Sequence, residues 1–267
     1  LIVETTMILE TSHNLLLVAL SFFVAVFGSY TSLQLMRGIR TDDGKSKIGW
    51  IIGAAFALGG GAIWTMHFIG MIAYETSMEV GYDPLLTFAS LLIAVVVVGL
   101  GIFMLSKNPK SVLVLLVAGV VTGLGVASMH YAGMEAMIMA ADMSYEPTLF
   151  TISIVIAVVA ATAALWLAFN LDGGWQMFLA SIVMGIAVCG MHYTGMASMT
   201  MTMNHQEVAI ESTIEPLTLG LFIFCFSMML LVLSLIVTLS QLQKRMYEQL
   251  EDEDEDDAMD DAKPHPV

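Results

Sequence analysis

Seven long apolar stretches dominate this sequence and leave few folds open to it. They cover residues 14–36, 48–72, 85–106, 112–137, 149–170, 175–199 and 218–240. The hydrocarbon layer of a bilayer is about 30 Å thick and is crossed by about 20 apolar residues in one helix. Because only 12% of the residues are charged, a soluble fold of this length could not cover its surface. The sequence therefore predicts an all-α integral membrane protein with seven transmembrane helices.

The charged residues between the spans predict the orientation of the chain. With seven spans, all nine basic residues fall on one side of the membrane: Arg37, Arg40, Lys45, Lys47, Lys107, Lys110, Lys244, Arg245 and Lys263. The loops on the other side carry acidic residues and no Lys or Arg. Since short loops rich in Lys and Arg stay in the cytoplasm, we expect the N-terminus outside and the C-terminus inside.

This topology divides the chain into three regions. Residues 1–13 form an outer N-terminal segment, residues 14–240 the membrane domain, and residues 241–267 a cytoplasmic acidic tail. Ten acidic residues between positions 248 and 261 account for most of the net charge of −15. A charge run of this kind is typical of a disordered, solvated segment, and docking to a basic partner is the alternative.

A six-residue pattern occurs three times, at Met66–Met71, Met129–Met134 and Met191–Met196. Each copy reads Met-His-aromatic-x-Gly-Met, and the histidines are 63 and 62 residues apart. That interval equals two spans with their loops, so the first six spans form three hairpin repeats and the seventh span stands alone. All three copies then lie at the outer ends of the second, fourth and sixth spans, at one depth in the membrane.

Small residues accompany each copy of the motif. Glycine lies seven residues before and three residues after each histidine, at Gly60, Gly70, Gly123, Gly133, Gly185 and Gly195. Small residues let helices approach closely in lipid. We therefore expect the second, fourth and sixth spans to pack about a common axis with their histidines level.

The histidine and the methionine four residues later lie on one face of a helix. The primary candidate metal ligands are His67, Met71, His130, Met134, His192 and Met196. Imidazole together with thioether favours copper, as Cu(I), over hard ions, whereas zinc suits the histidines but not the methionines. One such pair would ordinarily be core packing. Three pairs at one depth favour a shared site for one or two copper ions, with a haem between two histidines as the alternative.

Several other residues are candidates for an accessory role at this site. The methionines that precede the histidines point about 100° away from them and come second as ligands: Met66, Met129 and Met191. His13 opens the first span at the outer face, and Cys189 lies three residues before His192 without a counterpart in the other repeats. His205 follows alternating methionines in an outer loop that is suited to metal capture, whereas His265 belongs to the tail and is given no role at the site.

Motifs of other chemistries are missing from the sequence. It contains no phosphate-binding loop, no Ser/His/Asp arrangement compatible with the topology, and no basic patch for nucleic acid. The sequence therefore predicts neither an enzyme nor a nucleic-acid-binding protein.

The triple motif resembles the signature of the MHYT domain family of bacterial membrane sensors. The resemblance covers roughly residues 10–240. It implies a location in the bacterial inner membrane and copper binding by the motif Met, His and Tyr residues. It also implies sensing of a diatomic gas (O₂, CO or NO) or of redox state from the periplasmic side. A ligand role for tyrosine would fall to Tyr131 and Tyr193, because Phe68 cannot ligate.

Many members of that family continue into cytoplasmic enzymatic or DNA-binding domains. Here residues 241–267 follow the last span, so the resemblance implies a sensor that signals through a cytoplasmic or membrane protein partner. Two alternatives remain: a copper-handling protein or accessory subunit of a membrane complex, and a haem-binding electron-transfer subunit.

Removal of residues 248–267 is expected to leave metal binding unchanged, because the predicted ligands all lie in the membrane domain. Metal analysis of the purified, shortened protein checks this. A large loss of copper would show that the acidic segment supplies ligands.

Overall fold

The computed structural model describes residues 11–41, 47–171, 173–204 and 213–261. His205 and His265 lie outside the described residues, so the interpretations attached to them stay predictions.

Seven helical segments of the described part are long and apolar enough to cross a membrane, as predicted. The parts that meet this criterion are Leu15–Ile39, Ile48–Ile72, Pro84–Lys107, Val112–Glu135, Pro147–Asn170, Gly174–Ser198 and Pro216–Val237. The first helix as a whole is Leu15–Thr41, and the last is Pro216–Asp261. Large apolar side chains on the outer faces are exposed, for example Leu85 at 79% and Leu113 at 72%. Such faces suit contact with lipid.

The second span departs from the regular α-helix that the sequence predicted. It consists of an α-helix Lys47–Ala55, a π-helical segment Phe56–Trp64 and an α-helix Thr65–Ile72. The Thr65 backbone N–H donates to the carbonyl of Gly60, and the Thr65 hydroxyl donates to the same oxygen at 2.9 Å. This i to i+5 bonding widens the helix where three consecutive glycines let neighbouring spans approach closely.

Within the described residues, six short strands lie at one end of the helix bundle, which we call the strand end. They are β1 Thr11–His13, β2 Tyr74–Thr76, β3 Gly81–Tyr82, β4 Met137–Ile138, β5 Ala141–Tyr145 and β6 Met199–Met203. They pair antiparallel as β1–β2, β3–β4 and β5–β6. In each pair, a strand before an odd-numbered span joins the strand after the next even-numbered span. The hairpin repeat read from the sequence is therefore also a repeat of strand pairing.

One backbone hydrogen bond recurs in all three repeats beside these strands. The donor N–H groups and acceptor carbonyls are Asn14 to Ala73 (2.8 Å), Asp83 to Ala136 (2.7 Å) and Glu146 to Ser198 (2.7 Å). The side chains of the three donor residues also cap the odd-numbered spans by accepting backbone N–H groups of the first turn. At Glu146 the N–H groups of Leu149 and Thr148 lower the pKa of the carboxyl group. The three acceptors, Ala73, Ala136 and Ser198, are small residues six positions after the motif histidines and lie where each even-numbered span ends.

The glycines seven residues before the histidines do not face a common axis, which corrects the packing expected from the sequence. A Cβ at Gly60 would lie 2.8 Å from the Phe226 ring of the seventh span. One at Gly123 would meet the backbone of Val158 in the fifth span, and one at Gly185 would meet a side chain of the first. Each even-numbered span therefore packs against flanking spans at this level.

The last helix continues to Asp261, through the acidic run for which the sequence favoured disorder. Residues 241–261 contain no Gly or Pro, and 11 of these 21 residues are Glu, Gln, Leu or Met, which are good helix formers, while six are Asp, which is a poorer one. The described residues from Leu231 to Asp261 belong to a compact unit of their own.

Close packing of the first span on the second is expected to depend on Gly28. A Cβ there would lie 2.8 Å from the Cα of Ala62, and backbone atoms cannot move aside cheaply. Gly28→Ala should therefore lower the free energy of unfolding by about 1–3 kcal/mol, measured by thermal unfolding in detergent. Gly49→Ala is the control, because nothing lies within 4 Å of its Cβ position. Equal stability of the two variants would contradict this packing.

Candidate metal centre

The three motif histidines meet inside the bundle, as the repeat predicted. His67, His130 and His192 are at most 1% exposed. Their Nδ1 atoms are separated by 3.1 Å (His67 to His192), 3.1 Å (His67 to His130) and 3.4 Å (His130 to His192). The point equidistant from the three atoms lies about 1.9 Å from each of them. Metal–imidazole bonds are about 2 Å long, so one ion fits the triangle with little adjustment.

The tautomer of the rings decides what the triangle offers to a cation. A neutral imidazole carries one N–H and one lone pair on its two nitrogens. Protons on all three Nδ1 atoms would crowd into the triangle, and a proton on one Nδ1 can be donated to a neighbouring Nδ1. Protons on all three Nε2 atoms leave three lone pairs that converge and repel one another. The Nε2 atoms are buried and have no hydrogen-bond partner among the described residues. A cation at the centre relieves the repulsion of the converging lone pairs.

The glycine three residues after each histidine contacts the imidazole ring of another repeat, and we call this contact the glycine seat. The Nε2 edge of His67 rests on Gly133, that of His130 on Gly195, and that of His192 on Gly70. A Cβ at any of these glycines would collide with the ring above it. The sequence predicted close approach of helices at these glycines, but not that the groups in contact would be the rings. The sequence signal for this contact is the glycine that recurs three residues after each histidine.

The aromatic residue after each histidine packs edge-on against it, with ring centroids 4.7–4.9 Å apart. The hydroxyl of Tyr131 hydrogen-bonds with Ser153 of the fifth span at 2.6 Å, and that of Tyr193 with Ser21 of the first span at 2.9 Å. These hydroxyls are therefore engaged with flanking spans. Ligation by Tyr131 and Tyr193, which the family resemblance implied, stays a prediction.

Phe68 holds the corresponding place in the first repeat and has no hydroxyl. The serine of the third span, Ser90, instead accepts a hydrogen bond from Nε1 of Trp64 at 3.0 Å. The Trp64 ring lies 4.9 Å from the Phe68 ring. A tryptophan one turn earlier thus replaces the missing tyrosine contact.

All six motif methionines are buried in the same three spans. Their exposed fractions are 1% for Met66, 1% for Met71, 0% for Met129, 0% for Met134, 2% for Met191 and 3% for Met196. The second methionine of each motif lies one helical turn from the histidine, toward the strand end. Ligation by their sulfur atoms stays a prediction.

His13 and Cys189 lie outside the nitrogen triangle. Of the described residues, the three histidines alone form a cluster of metal-binding character at this place. His13 is exposed in β1, with its ring 5.2 Å from that of Tyr74 and 5.9 Å from that of Tyr193. Cys189 is a half-buried free thiol beside Ser21 of the first span. His13 therefore stands at the rim of the site, and Cys189 faces a flanking helix.

The fold and the site together define a seven-span membrane protein with a histidine centre built from three repeats. The family model described as "Bacterial signalling protein N terminal repeat", MHYT, matches residues 60–118 and again residues 123–181. The chain therefore belongs to the MHYT family, whose members are membrane sensor domains of signalling proteins.

Curated relatives support the same assignment. The bifunctional diguanylate cyclase/cyclic di-GMP phosphodiesterase MucR of Pseudomonas aeruginosa is 36% identical over 89% of this chain and 36% of its own length. The signaling protein YkoW of Bacillus subtilis is 36% identical over 84% of this chain and 29% of its own length. The cyclic di-GMP phosphodiesterase NbdA of Pseudomonas aeruginosa is 35% identical over 76% of this chain and 27% of its own length. The chain thus spans about a third of the length of these relatives. No solved structure matches it.

Gly195→Ala is expected to displace the His130 ring and to weaken metal binding by about 10- to 100-fold, as loss of an outer support of a ligand does. Gly190→Ala is the matched control in the same span, because its Cβ would meet nothing within 4 Å. Competition with a chelator of known copper affinity measures both. Equal affinity of the two variants would show that the glycine seat does not position the ring.

Proposed function

We propose that this chain is a copper-binding sensor domain that reports a diatomic gas or a change of redox state across the bacterial inner membrane. The observation that supports it most is the buried triangle of Nδ1 atoms, which can direct three nitrogen lone pairs at one ion. The N-terminus and the strand end face the periplasm, and the C-terminus faces the cytoplasm. This orientation rests on the placement of all basic residues on one side.

His67, His130 and His192 would hold the ion through Nδ1. Three imidazoles surrounded by buried methionines suit Cu(I), a soft ion that accepts both nitrogen and thioether sulfur. When bound, the ion would supply a position at which a small molecule or an electron can be received. The three nitrogens define a plane, so both faces of that plane are left to other groups. The methionines one turn toward the strand end are the candidates for one face.

The seventh span is placed to carry the signal. Trp64, one turn before His67, lies 6.0 Å from the Phe222 ring and 6.4 Å from the Phe226 ring of the seventh span. A Cβ at Gly61 in the π-helical segment would collide with Leu230. A shift of His67 would therefore reach the seventh span through the π-helical segment, which is the irregular and adaptable part of the second span.

The output is proposed to be a protein on the cytoplasmic side. The relatives named for diguanylate cyclase and phosphodiesterase activities match this chain over only about a third of their length. In our proposal the present chain supplies sensing and leaves catalysis to a partner protein or another domain.

Two other functions account for part of these observations. A copper-handling protein or accessory subunit would use the same triad, but a conducting path would show ligands at several depths, and the histidines lie at one. A haem between two histidines is disfavoured by distance. Trans ligands with metal–nitrogen bonds of about 2 Å lie about 4 Å apart, with the porphyrin between them, whereas these nitrogens lie 3.1–3.4 Å apart.

Replacing His67, His130 and His192 together by alanine is expected to abolish copper binding while leaving a folded membrane protein. Elemental analysis and an absorption spectrum of the purified protein measure the metal and would reveal haem by its Soret band. His13→Ala is the control, because His13 lies outside the triangle and should keep about one or two copper ions per chain. Full copper content in the triple variant would refute the site assignment.

A further inference from the structure

An apolar cavity of about 40 Å³ lies on the side of the histidine triad away from the strands. Its lining includes Ile63, Val126 and Val188, which stand four residues before His67, His130 and His192 respectively. Four residues make about one helical turn, so the three residues lie one turn below the histidines on the same faces. The cavity therefore reaches beneath the nitrogen triangle, and most of its lining belongs to the fifth and sixth spans. Met191, which directly precedes His192, also lines it.

The chemistry of the lining excludes water and charged molecules. No polar atom contributes to the surface of the cavity. The polar residue among those that line it, Thr122, donates its hydroxyl to the Val97 carbonyl at 3.5 Å. A buried water needs two to four polar partners, and an apolar cavity without them stays dry and accepts apolar guests such as xenon. One water needs only about 10–15 Å³ of such volume, so this cavity has room for a molecule of two or three heavy atoms.

The lining of the cavity comes nearest to the outer surface of the bundle on the fifth and sixth spans, where we place its opening toward lipid. Four of its lining residues are half-buried and lie on these two spans: Ala160, Ala164, Ala187 and Val188. The lining residues of the second and fourth spans that belong to the hydrophobic core, such as Leu58, Ile63 and Val126, are at most 5% exposed. Alanine side chains leave a low barrier at the opening. An uncharged apolar molecule dissolved in the bilayer can reach the cavity there without crossing a polar layer.

We infer that this cavity is a binding chamber for a small uncharged apolar molecule of diatomic size, which enters from the bilayer and is held beside the histidine triad. The role of the chamber in delivering this molecule to a bound ion rests on the proposed function. Binding of the molecule in the chamber is independent of that function, because the histidine nitrogens are not part of the lining. The chamber adjoins the face of the nitrogen triangle opposite the methionines that lie toward the strand end.

Xenon is the probe for the chamber itself. Diffraction from crystals of the full chain under xenon pressure, without copper, should show xenon in the cavity. Ala161→Val should abolish this peak, since Ala161 lines the cavity and two added methyl groups take up its space. Ala168→Val is the matched control, because Ala168 is equally buried in the same span and does not line the cavity. Absence of xenon from the wild-type cavity, or its persistence in Ala161→Val, overturns the inference.

Carbon monoxide tests the path to the triad in copper-loaded protein. Rebinding after flash photolysis should be several-fold slower in Ala161→Val than in Ala168→Val, at equal copper content. Equal rates would overturn the assignment of the cavity as the route. If wild-type protein binds no copper, the proposed function fails, and the xenon result decides the chamber independently.

Discussion

The convergence of three imidazole nitrogens in an apolar interior is the constraint on which the rest of this structure depends. Polar atoms buried without partners cost free energy, and three lone pairs that point at one another add repulsion. The histidine Nε2 atoms have no hydrogen-bond partner among the described residues, so the triangle is not one corner of a wider polar network. A cation between the Nδ1 atoms turns this repulsion into attraction. The surrounding protein then has to hold three rings, from three helices, within a few tenths of an ångström.

The three repeats hold the rings in place with the same kinds of contact, each of which occurs three times. The motif glycine of one repeat seats the ring of another, so the triad is closed by a cycle of contacts between repeats. Strand pairs and one recurrent backbone hydrogen bond tie the ends of the even-numbered spans to the caps of the odd-numbered ones. These ties lie within two helical turns of the histidines and keep them level. Farther from the strand end the even-numbered spans turn to their flanking neighbours, which leaves room for the apolar cavity beneath the triad.

Much of this was predictable because the bilayer permits few solutions. The length and apolar character of the seven spans located them to within a few residues, and the even spacing of His67, His130 and His192 predicted that they meet. The π-helical segment was not predicted, since Gly59–Gly61 indicates close approach but not which hydrogen bonds shift. The capping role of Asn14, Asp83 and Glu146 was not predicted either. The two acidic residues had been interpreted only as markers of orientation. The helix through 241–261 reflects the local helix propensity of these residues. The sequence interpretation had given more weight to the run of charges.

The measurement that tests the central claim most directly is X-ray absorption at the copper edge on the full chain in its reduced form. Copper in the triangle is expected to show three nitrogen atoms at about 2 Å, with the outer-ring scattering typical of imidazole. A change confined to sulfur distances in methionine variants would fit the same account. A copper environment without imidazole, or one unchanged when His67, His130 and His192 are replaced, would contradict it.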